Sequence, residues 1–141
     1  MFLDEKFQAL LTEYLKANGW ADQADKIVDI GAVGLTLGPW KSRVDVYPIE
    51  GLVQVTSPIP MTLSDMAQRG SQDANLVWDD LRDNLPGFIS GPAIRPDVMA
   101  SNHYCFTGLL TKDTAKHRSQ FDKSMCHFLD RRHAIHEKLG V

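Results

Sequence analysis

The strongest constraint on the fold is a run of short apolar segments between Ile27 and Thr56. The segments are rich in β-branched residues, partly alternate apolar with polar positions, and are separated by turn-forming residues. They comprise residues 27–30, 33–37, 44–47 and 52–56, and the turns between them include Gly38-Pro39, Lys41-Ser42 and residues 48–51. This pattern is typical of an antiparallel meander, here of three strands. Because such a sheet is apolar on at least one face, other parts of the chain must cover it.

Three amphipathic segments are predicted as the covering helices. Residues 4–18 carry one apolar stripe, made of Phe7, Leu10, Leu11, Tyr14 and Leu15. Residues 71–85 carry a second, made of Ala74, Val77, Trp78, Leu81 and Leu85. Residues 113–139 carry a third of about heptad period, made of Phe121, Met125, Phe128, Ile135 and Leu139, with Arg132 in the place where an apolar residue is missing.

Two more strands are predicted between the second and third helices. Residues 88–94 are interrupted by Gly91-Pro92, which favours an edge strand or two pieces, and residues 98–110 follow. The prolines in residues 57–60 are expected to break the sheet after the third strand. The predicted α+β fold is therefore helix, three-stranded antiparallel meander, helix, two strands, helix. A chain of 141 residues fits a single domain spanning residues 1–141.

Composition limits the class of protein. Two cysteines cannot build a disulfide framework or a four-cysteine zinc site. The first residues lack the apolar core of a signal peptide, and no apolar run approaches the roughly 18 residues of a membrane span. These features predict a cytoplasmic protein that does not bind a membrane.

Charge is distributed unevenly along the chain. The net charge is -3, yet residues 112–141 hold seven Lys/Arg against four Asp/Glu, a net charge of +3. A basic end of this kind can steer an acidic partner, or it can simply be the solvated face of a terminal helix. The overall negative charge predicts no general binding to nucleic acid.

The histidines and cysteines are the candidate metal-binding or catalytic residues. His127 and His133 point in different directions on a helix, and His133 and His136 sit among basic residues that repel a cation. His103 and Cys105 share a strand face, but nothing in the sequence suggests an oxyanion hole. We therefore expect no metal, no cofactor and no catalytic residue.

A cluster of aromatic and basic residues gives a weak indication of nucleic-acid binding. Trp40, Lys41, Arg43 and Tyr47 combine stacking surfaces with cations. The same meander carries acidic residues (Asp29, Asp45 and Glu50), so a groove that follows phosphates is not evident.

The order of elements resembles that of the class I type III secretion chaperones, and equally that of the YbjN-like proteins, which share their fold. The amphipathic first helix, the meander and the helix with Trp78 before Pro86 carry the likeness. The basic last helix departs from it, because such chaperones are usually acidic throughout. The resemblance implies a non-enzymatic, chaperone-like homodimer that holds an extended segment of another protein.

Two functional hypotheses follow. In the first, a partner segment binds the first helix and the meander, by strand addition or in a groove. The apolar residues expected to bind it are Phe7, Leu11, Val44, Val46, Val53 and Val55, and the residues expected at the dimer interface are Ala74, Val77, Trp78, Leu81 and Leu85. In the second, the protein is a small-molecule sensor or enzyme with a pocket between the sheet and the last helix. That pocket would be lined by His103, Tyr104, Cys105 and Phe106.

Overall fold

The structure, a computed structural model, describes residues 5–26, 33–49, 52–62, 64–65, 68, 87–96, 103–111 and 117–139. Its helices are α1 (Glu5–Ala17), a 3₁₀ helix (Ala21–Lys26) and α2 (Arg118–Leu139). Its strands are β1 (Val33–Leu37), β2 (Ser42–Ile49), β3 (Leu52–Thr62), β4 (Phe88–Pro96) and β5 (His103–Thr111). This element order confirms the predicted α+β class. The helix predicted over residues 71–85 lies outside the described residues.

All five strands form one antiparallel sheet, in the order β1-β2-β3-β5-β4. The first three strands are the predicted meander, in which Val46 pairs with Val33 on one side and with Val55 on the other. β5 lies beside β3, and Gly108 of β5 pairs with Val55 of β3. β4 lies beside β5 and forms the far edge of the sheet. The sheet therefore has β3 at its centre and β1 and β4 at its edges.

Both α-helices bury their apolar residues against alternate residues of the strands. Phe7 and Tyr14 of α1 meet Phe121 of α2 edge to face, with ring centroids 5.8 Å and 5.1 Å apart. Phe128 of α2 stacks on Phe106 of β5 at 4.8 Å. Contacts of this kind stabilise a pair by about 0.5–1.5 kcal/mol beyond the apolar area that it buries.

In the described part of the chain, no helix is long and apolar enough to cross a membrane.

The prolines at residues 58 and 60 do not break the sheet, contrary to the sequence prediction. β3 continues to Thr62, and Pro58 pairs with Cys105 of β5. In the described register, pairing of β3 with β2 ends at Thr56, so this part of β3 has β5 as its neighbour on one side. A proline, which has no N–H to donate, is tolerated in a strand whose other side is open. The end of the β2–β3 ladder leaves an opening at Pro58.

Both edges of the sheet carry features that discourage further strand pairing. The Thr36 N–H of β1 donates a hydrogen bond to Gln23 Oε1 of the 3₁₀ helix, at 3.2 Å. β4 is an edge strand, as predicted, and its pairing with β5 shifts register twice between Phe88 and Ala93. Irregular or covered edges oppose the addition of a strand from another chain.

Candidate functional site

A pocket of about 370 Å³ opens where the β1–β2 turn, β3 and α2 come together. Eight of the described residues line it: Trp40, Lys41, Ser42, Arg43, Pro58, Arg132, His133 and His136. The first four belong to the turn and the start of β2, Pro58 lies where the β2–β3 ladder has ended, and the last three belong to α2. The pocket volume falls within the range of about 300–1,000 Å³ that is usual for small-molecule sites.

The β1–β2 turn holds Trp40 and Lys41 in fixed positions. The Lys41 N–H donates a hydrogen bond to Gly38 O at 3.1 Å, and both residues have positive φ, of 53° and 80°. A side chain at Gly38 would be strained and would also contact Leu129 of α2 at 3.4 Å. Glycine at this position therefore lets the turn pack closely against α2.

Trp40 stacks on a histidine of α2. The indole and the His133 ring are nearly parallel, at an interplanar angle of 7°, with centroids 4.0 Å apart. The His136 ring lies 5.9 Å beyond His133, at an angle of 25°. His133 Nε2 also lies 3.1 Å from Glu137 Oε1. One wall of the pocket is thus built from flat rings.

Arg132 forms the buried base of the pocket. Its Nε donates to Ser57 Oγ at 3.2 Å and its Nη2 donates to Pro58 O at 3.0 Å, while Ser57 Oγ donates to Arg43 O at 2.7 Å. Burial lowers the pKa of the Arg132 guanidinium from its ordinary value. Arginine nevertheless keeps its charge at neutral pH, because a guanidinium is not deprotonated in proteins. The side chain therefore fixes a positive charge in the opening beside Pro58.

The guanidinium of Arg43 is directed away from the pocket. Its Nε lies 3.4 Å from Asp45 Oδ1, and strand alternation puts both side chains on the face opposite Val44 and Val46, which are buried in the core. A Cβ atom at Gly34 would approach Asp45 Oδ1 to 3.0 Å, so this ion pair lies over β1. We therefore assign to Arg43 a main-chain contribution to the pocket.

The pocket is positively charged. Lys41 and Arg132 supply fixed positive charges, and none of the eight lining residues carries a carboxylate. Such a site favours an anion, because hydrogen bonds between charged groups are roughly twice as strong as neutral ones.

The six residues predicted to bind a partner are all in the core. Their side chains are between 0% and 6% exposed; they are Phe7, Leu11, Val44, Val46, Val53 and Val55. They face the interior because α1 and the sheet cover each other. They therefore offer no accessible surface in the monomer, and a partner could reach them only if α1 moved away.

The residues predicted for the small-molecule pocket do not meet at one site. Phe106 is buried in the core, Cys105 is buried and His103 is exposed. Strand alternation puts Tyr104 and Phe106 on one face of β5 and His103 and Cys105 on the other. A pocket does lie between the sheet and the last helix, but different residues line it.

The remaining predictions concern the dimer and the metal. The five residues predicted at the dimer interface, Ala74, Val77, Trp78, Leu81 and Leu85, lie outside the described residues. Within the described ranges, no three His, Cys, Asp or Glu side chains are placed to hold a metal ion.

Arg132 is the residue of the pocket that sequence reasoning did not assign to a site. Its signal was present, since it occupies the place in the stripe of the last helix where an apolar residue is missing. A charged residue at such a position is rarely buried unless it is paired. Trp40 and Lys41 were recognised as a ring and a cation, but not as neighbours of α2.

Comparison with known proteins identifies no relative, since no family model, no curated protein and no solved structure matches the chain. The likeness to secretion chaperones therefore rests on the order of elements alone.

Proposed function

We propose that this protein is a non-catalytic binding protein that holds an anionic ligand in the pocket between the β1–β2 turn and α2. The observation that carries the proposal is the buried guanidinium of Arg132 at the base of a pocket in which no described lining residue carries a carboxylate. Lys41 adds a second positive charge from the β1–β2 turn.

The site is organised before a ligand arrives. The hydrogen bonds to Ser57 and Pro58 hold Arg132, and the turn hydrogen bond to Gly38 holds the backbone of Lys41. A ligand then meets a guanidinium whose position is already fixed, which reduces the entropy lost on binding.

Binding has better support than catalysis at this site. The described contacts of His133 are its stack on Trp40, the neighbouring ring of His136 and its approach to Glu137. None of these contacts activates a nucleophile, which would require a base within hydrogen-bonding reach of a hydroxyl or thiol.

The chaperone-like function stays a prediction with less support. Strand addition would need an open edge, whereas β1 is engaged by Gln23 and β4 is irregular. Groove docking would need accessible apolar residues, whereas the expected ones are buried. The homodimer and the cytoplasmic location also stay predictions.

Isothermal titration calorimetry with inorganic phosphate tests the proposal. Wild-type protein should bind phosphate, and Lys41→Gln should weaken binding about two- to fivefold, as expected for one partly solvated charge. Lys123→Gln is the matched control, because Lys123 is an exposed lysine of α2 that does not line the pocket. Absence of phosphate binding, or equal weakening by both substitutions, would contradict the proposal.

A further inference from the structure

We infer that the ligand joins a flat heteroaromatic ring to a phosphate, and that it is a nucleoside monophosphate. This inference rests on the proposed anion-binding function and names the class of ligand. Its basis is that each of two elements lining the pocket supplies a ring and a cation as adjacent residues: Trp40-Lys41 on the turn and Arg132-His133 on α2.

The indole of Trp40 is suited to receive a second ring. It is 42% exposed, one of two large apolar side chains, with Ile89, that are exposed among the described residues. Its stack with His133 fixes the plane of the indole, and its exposed surface is open to a base. Stacking on an aromatic side chain is a general way to hold a base, because every base has a π-face.

The indole of Trp40 is held in place as well as exposed. The hydrogen bond from the Lys41 N–H to Gly38 O closes the turn that carries Trp40, and the indole stacks on His133 of α2. A tryptophan that is exposed and yet immobilised exposes apolar surface to water in a defined orientation. That arrangement is expected of a recognition residue, since exposed apolar surface at a site usually marks contact with a ligand or partner.

The charges indicate one phosphate. A phosphate monoester carries about -1.5 to -2 at neutral pH, which the two fixed charges of Lys41 and Arg132 can balance. A triphosphate usually binds with Mg²⁺, which takes carboxylate ligands, and none of the described residues that line this pocket carries a carboxylate. The observations therefore favour a monophosphate.

The same chemistry could come from a free nucleotide or from the phosphorylated end of a nucleic-acid strand. The chain has a net charge of -3, which opposes the approach of a long polyanion. We therefore assign the site to the free nucleotide, and a short oligonucleotide distinguishes the two sources.

Calorimetry with adenosine 5′-monophosphate and ribose 5-phosphate tests the inference, because the two differ only in the base. Wild-type protein should bind the nucleotide at least about fivefold more tightly. Trp40→Leu should weaken nucleotide binding more than ribose 5-phosphate binding and so reduce that advantage, and Trp40→Phe should keep part of it. Trp20→Phe is the control, because Trp20 packs against Tyr14 outside the pocket. Circular dichroism checks that each variant is folded.

Each result separates the inference from the function on which it rests. Equal binding of the two phosphates by wild-type protein would overturn the inference and leave the anion-binding function intact. Binding of neither phosphate, nor of inorganic phosphate, would overturn both. A 5′-phosphorylated tetranucleotide that binds more tightly than the mononucleotide would support the base-and-phosphate chemistry and assign it to a strand end.

Discussion

The indole of Trp40 lies parallel to the imidazole of His133, at a centroid distance of 4.0 Å, and so joins the β1–β2 turn to the last helix. The two residues are distant in the sequence and belong to elements that meet only in the folded chain. Their stack forms the ring wall of a pocket whose base is Arg132. The same contact therefore contributes to the stability of the fold and to the shape of the site.

The first prediction concerns this stack. Trp40→Ala should lower the free energy of unfolding by about 0.5–1.5 kcal/mol, because a stacked aromatic pair is lost. Trp40→Phe should restore most of the difference, since a ring is again available to His133. Urea denaturation monitored by circular dichroism measures both variants. Equal stability of wild type and Trp40→Ala would show that the stack does not contribute.

The second prediction concerns the buried guanidinium. Arg132→Met keeps the length of the side chain but removes the donors to Ser57 Oγ and Pro58 O. The expected loss of stability is about 1–3 kcal/mol, because buried hydrogen-bonding groups lose a charged partner. Arg131→Met, at the neighbouring and less buried arginine, should change stability by less than about 0.5 kcal/mol. If the two substitutions are equally destabilising, the described hydrogen bonds are not the cause.

The third prediction concerns pH. Burial raises the pKa of Tyr14 above its ordinary value of about 10, with a smaller contribution from Asp122. Above that ordinary value, the unfolded chain releases the phenol proton while the folded chain keeps it. The stability contributed by Tyr14 is therefore complete below about pH 10 and falls as pH rises, by up to about 1.4 kcal/mol per pH unit.

Comparison of wild type with Tyr14→Phe isolates this effect, because the other titrating groups are shared. Urea denaturation at pH 9, 10 and 11 should show that the wild type loses stability faster than the variant above about pH 10. Parallel pH dependence of the two proteins would mean that Tyr14 ionises as easily in the folded state as in the unfolded state.

The fourth prediction comes from the sequence and concerns assembly. The stripe with Trp78, Val77 and Leu81 is expected to form the centre of a homodimer, because a two-fold contact would let it cover itself. Light scattering on a sizing column should give twice the chain mass of 15.8 kDa. Trp78→Asp should be monomeric and folded. A wild-type monomer at micromolar concentration would contradict the dimer, and an unfolded variant would assign Trp78 to the core.

Much of the fold could be predicted because it depends on local patterns. The stripe from Phe7 to Leu15 has the helical period, and the alternation of Val44 and Val46 has the strand period, so each reports its own buried face. The extension of β3 through Pro58 was missed, because a proline stops a strand only where its N–H is needed. Whether it is needed depends on the neighbouring strand, which the local sequence does not show.

The pocket was less predictable, because it forms between elements. Trp40 and Lys41 were recognised as a ring and a cation, but their position beside His133 depends on how α2 crosses the sheet. Arg132 was noted only as a gap in an apolar stripe. The residues predicted to bind a partner are not exposed, for a related reason. The apolarity of Val44 and Val53 predicts burial, and the structure buries them in the monomer core.

Two-dimensional ¹H–¹⁵N NMR with adenosine 5′-monophosphate as the titrant tests the central claim most directly, because it locates the ligand. We expect saturable shift changes that are largest at the Trp40 indole N–H and at the backbone amides of Lys41, Ser42 and His133. The Lys41→Gln protein should need more ligand to reach the same changes. Shift changes centred on β5, or none at any concentration up to several millimolar, would contradict the claim that the pocket between the β1–β2 turn and α2 binds an anion.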